Sequence, residues 1–180
     1  MMNLTQLIET RRSIRKYEKK KVSEEDIQKL LEAVRWSPSW ANTQCWEIIA
    51  VSDNKIREEL KAVISPKNPA TEAIVSAPVL FALCGKLGIA GYYKDKVTTK
   101  LGDWFMYDLG IATQSLVLTA REIGLGTVII GSFDHNKAKK ILSVPEGYEV
   151  ASLICAGYPS QSPKPPKRKE VSEFIHYNRF

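Results

Sequence analysis

The segment from Asp103 to Ile123 limits the possible folds more than any other stretch. Phe105, Leu109, Ala112, Leu116 and Ala120 recur at helical spacing on one side. Met106, Ile111, Val117 and Leu118 make the other sides apolar as well. A helix that is apolar nearly all round must be buried in a core or at a subunit interface. The rest of the chain must therefore supply layers that enclose it. With 180 residues, 44% of them apolar, there is enough chain for one domain with a real core.

Those layers can be read in order. Asn3 to Thr10 is a short helix with Leu4, Leu7 and Ile8 on one face. Ser23 caps a second helix, acidic in its first turn, with Ile27, Leu30, Leu31 and Val34 as its apolar stripe. Ser37 to Gln44 interrupts it. Cys45 to Val51 reads as a strand, and Asp53 caps a helix carrying Ile56, Leu60 and Val63. Ser65 to Pro69 is a loop. Pro78 to Cys84 is a strand buried on both faces. Gly85 to Lys100 reads as a mobile loop with weak helix at most. Gly124 and Gly126 stop the long helix, and Thr127 to Ile130 is a third strand ended by Gly131 and Ser132. Asp134 caps a helix to Leu142, and Glu149 to Ala156 is a fourth strand. Helices and strands interleave without strict alternation. The fold class is α+β, a central sheet packed with helices.

No apolar run approaches the ~20 residues of a membrane span. The N-terminus lacks a signal-peptide pattern, so a soluble cytoplasmic protein is expected. Cys45, Cys84 and Cys155 are isolated, which argues against a disulfide framework; with only His135 and His176 beside them, no structural metal is expected.

The net charge of +6 is concentrated in two places, Arg11 to Lys21 and Lys164 to Lys169. In the first, Arg11, Arg12, Ser13, Arg15 and Lys16 fall within six positions, broken by Ile14. Arginine forks match phosphate oxygens bidentately, and a serine hydroxyl adds a donor. The plain alternative is a solvated basic loop. Two basic segments can converge on one anion, or spread over a nucleic-acid surface; no zinc-finger, RNA-recognition or helix-turn-helix pattern supports the latter. Dinucleotide, P-loop and nucleophile-elbow motifs are all missing, so any hard chemistry belongs to a bound cofactor.

Four stretches in order carry a resemblance. They are Arg11-Arg12-Ser13-Ile14-Arg15, Pro38-Ser39-Trp40-Ala41-Asn42-Thr43-Gln44-Cys45-Trp46, Gly124 through Asp134, and Gly157-Tyr158-Pro159 with its basic arm. The chain resembles the FMN-dependent nitroreductase family nearly end to end. That resemblance implies a mainly antiparallel sheet and a long buried helix at a homodimer interface. It implies one domain over residues 1–180, whose arm, 160–180, docks on or exchanges with the partner subunit. It also implies FMN, NAD(P)H as donor, and ping-pong reduction of nitroaromatics, quinones or similar small acceptors, with no nucleic-acid partner. Related flavin enzymes of dehalogenating or fragmenting type, and a flavin sensor without turnover, are the alternatives.

Residue by residue, the resemblance implies that Arg11, Arg12 and Ser13 bind the FMN phosphate and ribityl chain. Arg15 would stand at the pyrimidine edge and stabilise the reduced ring's negative charge. Pro38, Ser39 and Asn42 would reach the other subunit's flavin. Ile130 and Gly131 would offer backbone groups near N5 and O4, Asn68 would contact the ribityl or ring, and Lys167 or Arg168 would close on the phosphate. No side chain acts as a catalytic acid or base. Trp40, Tyr92, Tyr93, Trp104 and Tyr107 are candidates for stacking on substrate. Cys45 replaces the family's usual proline before the tryptophan, and the cover over the active site shrinks to about Gly85–Asp103.

Overall fold

A computed structural model describes residues 2–180. A four-stranded sheet divides two cores. Its strands are β1 (Trp46–Ala50), β2 (Val79–Lys86), β5 (Gly126–Ile130) and β6 (Tyr148–Gly157), in spatial order β1-β2-β6-β5, every pair antiparallel. The helices are α1 (Leu4–Thr10), α2 (Glu24–Arg35), α3 (Asn54–Ala62), α4 (Ala73–Ser76), α5 (Phe105–Glu122) and α6 (His135–Ile141).

Strand β2 shows how the layers arise. Its side chains alternate with period two, and both sets are apolar. Val79, Phe81 and Leu83 join one core with Leu30 and Val34 of α2 and Leu109, Ala112 and Leu116 of α5. Leu80, Ala82 and Cys84 join the other, with Leu60 of α3, Ile74 of α4 and Ala138 of α6. Helices therefore cover both faces, and the expected burial of this strand on both sides is found.

Several boundaries differ from the sequence reading. The segment 85–100 is not an unstructured loop: Gly85 and Lys86 extend β2, and Tyr92–Tyr93 (β3) pairs with Lys96–Val97 (β4) as a small hairpin. Its turn residues Lys94 and Asp95 adopt positive φ, which no glycine or asparagine signals in the sequence. Cys45 is buried but precedes β1. Helix α4 is one turn long, too short to leave a periodic pattern. Gly124, at φ +83°, ends the long helix, whereas Gly126 opens β5.

The chain after α1 flanks the sheet beyond β5. Ile14 N–H donates to Thr127 O at 2.8 Å, Ser13 bridges Thr127 in parallel, and Tyr17 pairs with Pro159. The Tyr17 hydroxyl donates to Ile14 O (2.6 Å). The basic stretch is thus held as a fifth, short edge.

Candidate active site

This edge brings the two basic segments together. A cavity of about 280 Å³ is lined by Arg11, Arg12, Ser13 and Arg15 from the edge, and by Lys164 and Arg168 from the arm, with Pro163 and Pro166. Along an extended edge alternate residues share a side, which puts Arg11, Ser13 and Arg15 together. The six ion pairs among the described residues involve none of these cations. Arg15 Nε is buried with no hydrogen-bond partner, while its Nη1 reaches Ser13 O at 3.4 Å. A buried unpaired donor is costly, so this group is shaped to meet an acceptor. Arg12 is partly committed elsewhere, its Nη1 donating to Glu9 O (2.6 Å) and Arg11 O (2.8 Å). Lys167 is exposed and lies outside this lining; Arg168 and Lys164 face it.

The cluster suits an anion with several acceptor oxygens, and a phosphate monoester fits. The residues present therefore fit FMN at its charged end.

A second cluster lies at the junction of α2 and α5. The loop 37–45 holds Pro38, Ser39 and Asn42 and includes a 3-10 turn at Trp40–Asn42. Ala41, Asn42 and Gln44 all have positive φ, near 44°, 57° and 48°. Left-handed conformations cost non-glycine residues about 1–2 kcal/mol each, so the loop needs external support. Asp108, 1% exposed in the first turn of α5, provides it. Its carboxylate accepts Trp40 N–H through both oxygens at 3.0 and 3.1 Å, and the Cys45 thiol donates to Oδ2 at 3.6 Å. Two turns further along, Ser115 meets Ser37, Oγ to Oγ, at 2.7 Å. Helical positions seven apart share a face, so α5 holds this loop at both ends. Sequence reasoning missed Asp108; one acid inside an otherwise apolar helix was the available signal.

Burial, reinforced by the Asp108 charge, pushes the Cys45 thiol up to about 12. It stays a neutral donor to Asp108.

A third group sits at the end of β5. Ile130 is buried and Gly131 exposed, with Gly131 O 3.1 Å from His135 Nε2. Ser132 and Ser65 bond through their hydroxyls (2.7 Å) and through Ser65 N–H to Ser132 O (3.1 Å). This ties the Asn68 loop to the Ile130–Gly131 corner. Asn68 Oδ1 accepts Ala70 N–H at 3.0 Å, so its carbonyl end is used locally.

The aromatic candidates separate. Trp40, Trp104 and Tyr107 form one chain of rings, with centroids 5.0 and 5.2 Å apart. Trp104 donates through Nε1 to Thr99 Oγ1 (2.8 Å), which secures the segment after the hairpin. Tyr92 and Tyr93 belong to the hairpin, Tyr93 exposed. No helix is long and apolar enough to cross a membrane among the described residues.

Comparison with known proteins bears on the chain as a whole. The model of the nitroreductase family matches residues 8–158. A putative NADH dehydrogenase/NAD(P)H nitroreductase of Methanothermobacter thermautotrophicus is 31% identical over 166 residues, covering 90% of this chain and 80% of that protein. The chain superposes on NADPH:FMN oxidoreductase from Vibrio harveyi, solved with NAD+, at a TM-score of 0.81 and 26% identity, covering 98% of this chain and 77% of the other. A nitroreductase family protein of Clostridium difficile 630 gives a TM-score of 0.84 at 24% identity, covering 99% and 100% of the two chains, a likeness of fold.

Proposed function

The chain belongs to the nitroreductase family, and from that premise we propose that it is an FMN-dependent oxidoreductase which takes hydride from NAD(P)H and reduces nitroaromatic, quinone or similar acceptors by a ping-pong route. The observation that carries this reading is the cavity where Arg11, Ser13 and Arg15 meet Lys164 and Arg168 without an acidic partner. The relative named NADPH:FMN oxidoreductase supports both cofactor and donor.

When bound, FMN supplies the two-electron chemistry, accepting hydride from the donor and yielding it to the acceptor. The chain binds, orients and tunes. Arg11, Ser13 and Arg168 hold the phosphate, with Lys164 beside them and Arg12 contributing what its helix-capping bonds leave free. Arg15, whose Nε is buried and unpaired, favours negative charge on the ring. Backbone groups at Ile130 and Gly131 would hold the ring's reactive edge, with Asn68 contacting the ribityl chain or ring. Pro38, Ser39 and Asn42 reach the flavin of the other subunit in a homodimer. The domain spans residues 1–180, with the arm 160–180 docked on that partner. No side-chain acid or base is required, in keeping with two histidines in the whole chain.

Purified protein is expected to be yellow and to oxidise NAD(P)H with a nitroaromatic or quinone acceptor, giving parallel double-reciprocal lines. The double variant Arg11→Ala/Arg15→Ala should be colourless yet folded by circular dichroism. Stoichiometric FMN retained by that variant would overturn the phosphate assignment.

A further inference from the structure

Tyr17 lies where the two basic segments of the flavin cavity have their roots. Its hydroxyl donates to Ile14 O at 2.6 Å and also reaches Cys155 O of β6 at 3.3 Å. Backbone bonds flank it on both sides. Lys16 O accepts Ser160 N–H (3.1 Å), and Glu18 N–H donates to Tyr158 O (2.9 Å). Tyr17 thus stands opposite Pro159 in a short antiparallel pair. One residue separates Tyr17 from Arg15, and the arm that carries Lys164 and Arg168 leaves from Ser160.

Arg15 is bracketed by these ties. On one side Ile14 is held at both backbone groups, its N–H by Thr127 O (2.8 Å) and its carbonyl by Tyr17. On the other, Lys16 is held by Ser160. A trans peptide is planar, so fixing the Ile14 carbonyl fixes the plane from which Arg15 starts. The Arg15 side chain lines the cavity with its Nε buried and unpaired. A buried stem cannot freely re-aim its guanidinium, because close packing admits few rotamers. An error at the Ile14–Arg15 peptide is therefore carried to the group that meets the ligand.

Two further features bear on the hydroxyl. Burial, with the Cys155 thiol adding to it, pushes the Tyr17 phenol up, so it stays a donor through the neutral range. Gly157 leaves room for the ring: a Cβ there would lie 3.0 Å from Tyr17 Cδ1 and 2.5 Å from Pro78 Cδ. Phenylalanine would fill the same space, so packing alone does not call for tyrosine. The hydroxyl, and the carbonyl it holds, are what the shape leaves unexplained.

We propose that Tyr17 is a positioning residue of the flavin site. Its hydroxyl aims Arg15, and through Arg15 it sets how much more tightly the reduced ring is held than the oxidised one. This rests on the flavin reading above, in which Arg15 favours negative charge on the ring.

Tyr17→Phe keeps the ring and removes one hydroxyl. Flavin-free variant protein titrated with FMN should bind it about three- to tenfold more weakly, the weight of one lost hydrogen bond. Reduced FMN, titrated without oxygen, should lose more affinity than oxidised FMN. The ratio of the two affinities fixes the midpoint potential of the bound flavin, which should therefore fall. Arg15→Gln should lower that potential too. Tyr17→Phe added to Arg15→Gln should lower it no further, and a double-mutant cycle reads this coupling. Additive losses would mean that Tyr17 supports the fold at large, and would overturn the proposal. Hydrogen exchange keeps the two readings apart. The amides of Ile14 and Glu18 should exchange faster in Tyr17→Phe with no flavin present. Wild type that takes no FMN, with this exchange still quickened, would refute the flavin reading and leave the tie between Tyr17 and the basic edge. Wild type that takes FMN, with potential and exchange unmoved by Tyr17→Phe, would refute the role of Tyr17 alone.

Discussion

Gly126 stands where a side chain has no room. A Cβ there would lie 2.5 Å from Ile14 Cγ1 and 2.8 Å from Ile14 Cβ. The Ile14 Cβ cannot swing away, because Ile14 N–H is tied to Thr127 O. Gly126→Ala should therefore push the basic edge off β5, at a cost of about 1–3 kcal/mol. Urea unfolding would register the loss, and the variant should retain less FMN after dialysis; unchanged stability would contradict the close packing. A glycine two residues past a helix normally reads as its stop, and Gly124 does that work. The reason for Gly126 lies in a residue 112 positions earlier, so no local pattern could disclose it. The cysteines make a second claim at this scale. Burial raises all three thiols from an ordinary 9.0, Cys45 and Cys155 to about 12 and Cys84 to about 11; nearby Asp108 and Glu47 add to it at Cys45 and Cys84. An acid whose pKa is raised by folding stabilises the native state fully below its unfolded value. Above pH 9 the unfolded chain releases these protons first, so stability falls as pH climbs toward 12. Thermal midpoints in reducing buffer should change little between about pH 7 and 8.5 and decline steadily above it. A flat profile to pH 11 would mean that the thiols titrate freely.

Helix α5 was legible from its apolar run alone, and so were α2, α3 and α6, through their capping residues Ser23, Asp53 and Asp134. The hairpin β3–β4 was not, because Lys94 and Asp95 supply its turn without glycine. Nor was the use α5 makes of its one buried acid. Asp108→Ala would leave Trp40 N–H without its acceptor and the Cys45 thiol without a partner, inside a packed junction. An unpaired buried donor costs about 1–3 kcal/mol, and the left-handed residues Ala41 and Gln44 would then be free to relax. The expected outcome is faster hydrogen exchange at Trp40 and a lower thermal midpoint, with the sheet amides still protected. Asp108→Asn should recover part of the protection, since one carboxamide oxygen can still accept. If Trp40 exchange stayed at the wild-type rate in both variants, the loop would be held by something other than α5.

Taken as a whole molecule, the chain leaves a surface that a monomer rarely shows. Met106 and Tyr107 of α5 are 57% and 62% exposed, while Val171, Phe174, Tyr177 and Phe180 of the arm stand open to solvent. The family resemblance implies that this arm docks on a partner subunit. Where it docks cannot be read from the ending itself, whose 3-10 turn at Val171–Glu173 and stacking of His176 on Phe180 are local. A second copy is the partner proposed above, and the arm is separable from the phosphate cluster at a known point. Ending the chain after Lys169 keeps Lys164 and Arg168 and removes only the apolar end. Burying each large side chain contributes about 1.5–3 kcal/mol, so losing two such contacts should raise the dimer dissociation constant about a hundredfold or more. Sedimentation velocity over a dilution series would show the truncated protein shifting to monomer at concentrations where the full chain stays paired. Because Pro38, Ser39 and Asn42 act on the other subunit's flavin in this reading, turnover per flavin should fall with the same concentration dependence. A truncated chain that dimerises as tightly as the whole would put the arm's docking site elsewhere, whereas one that turns monomeric yet keeps full turnover would remove the loop 37–45 from the reaction.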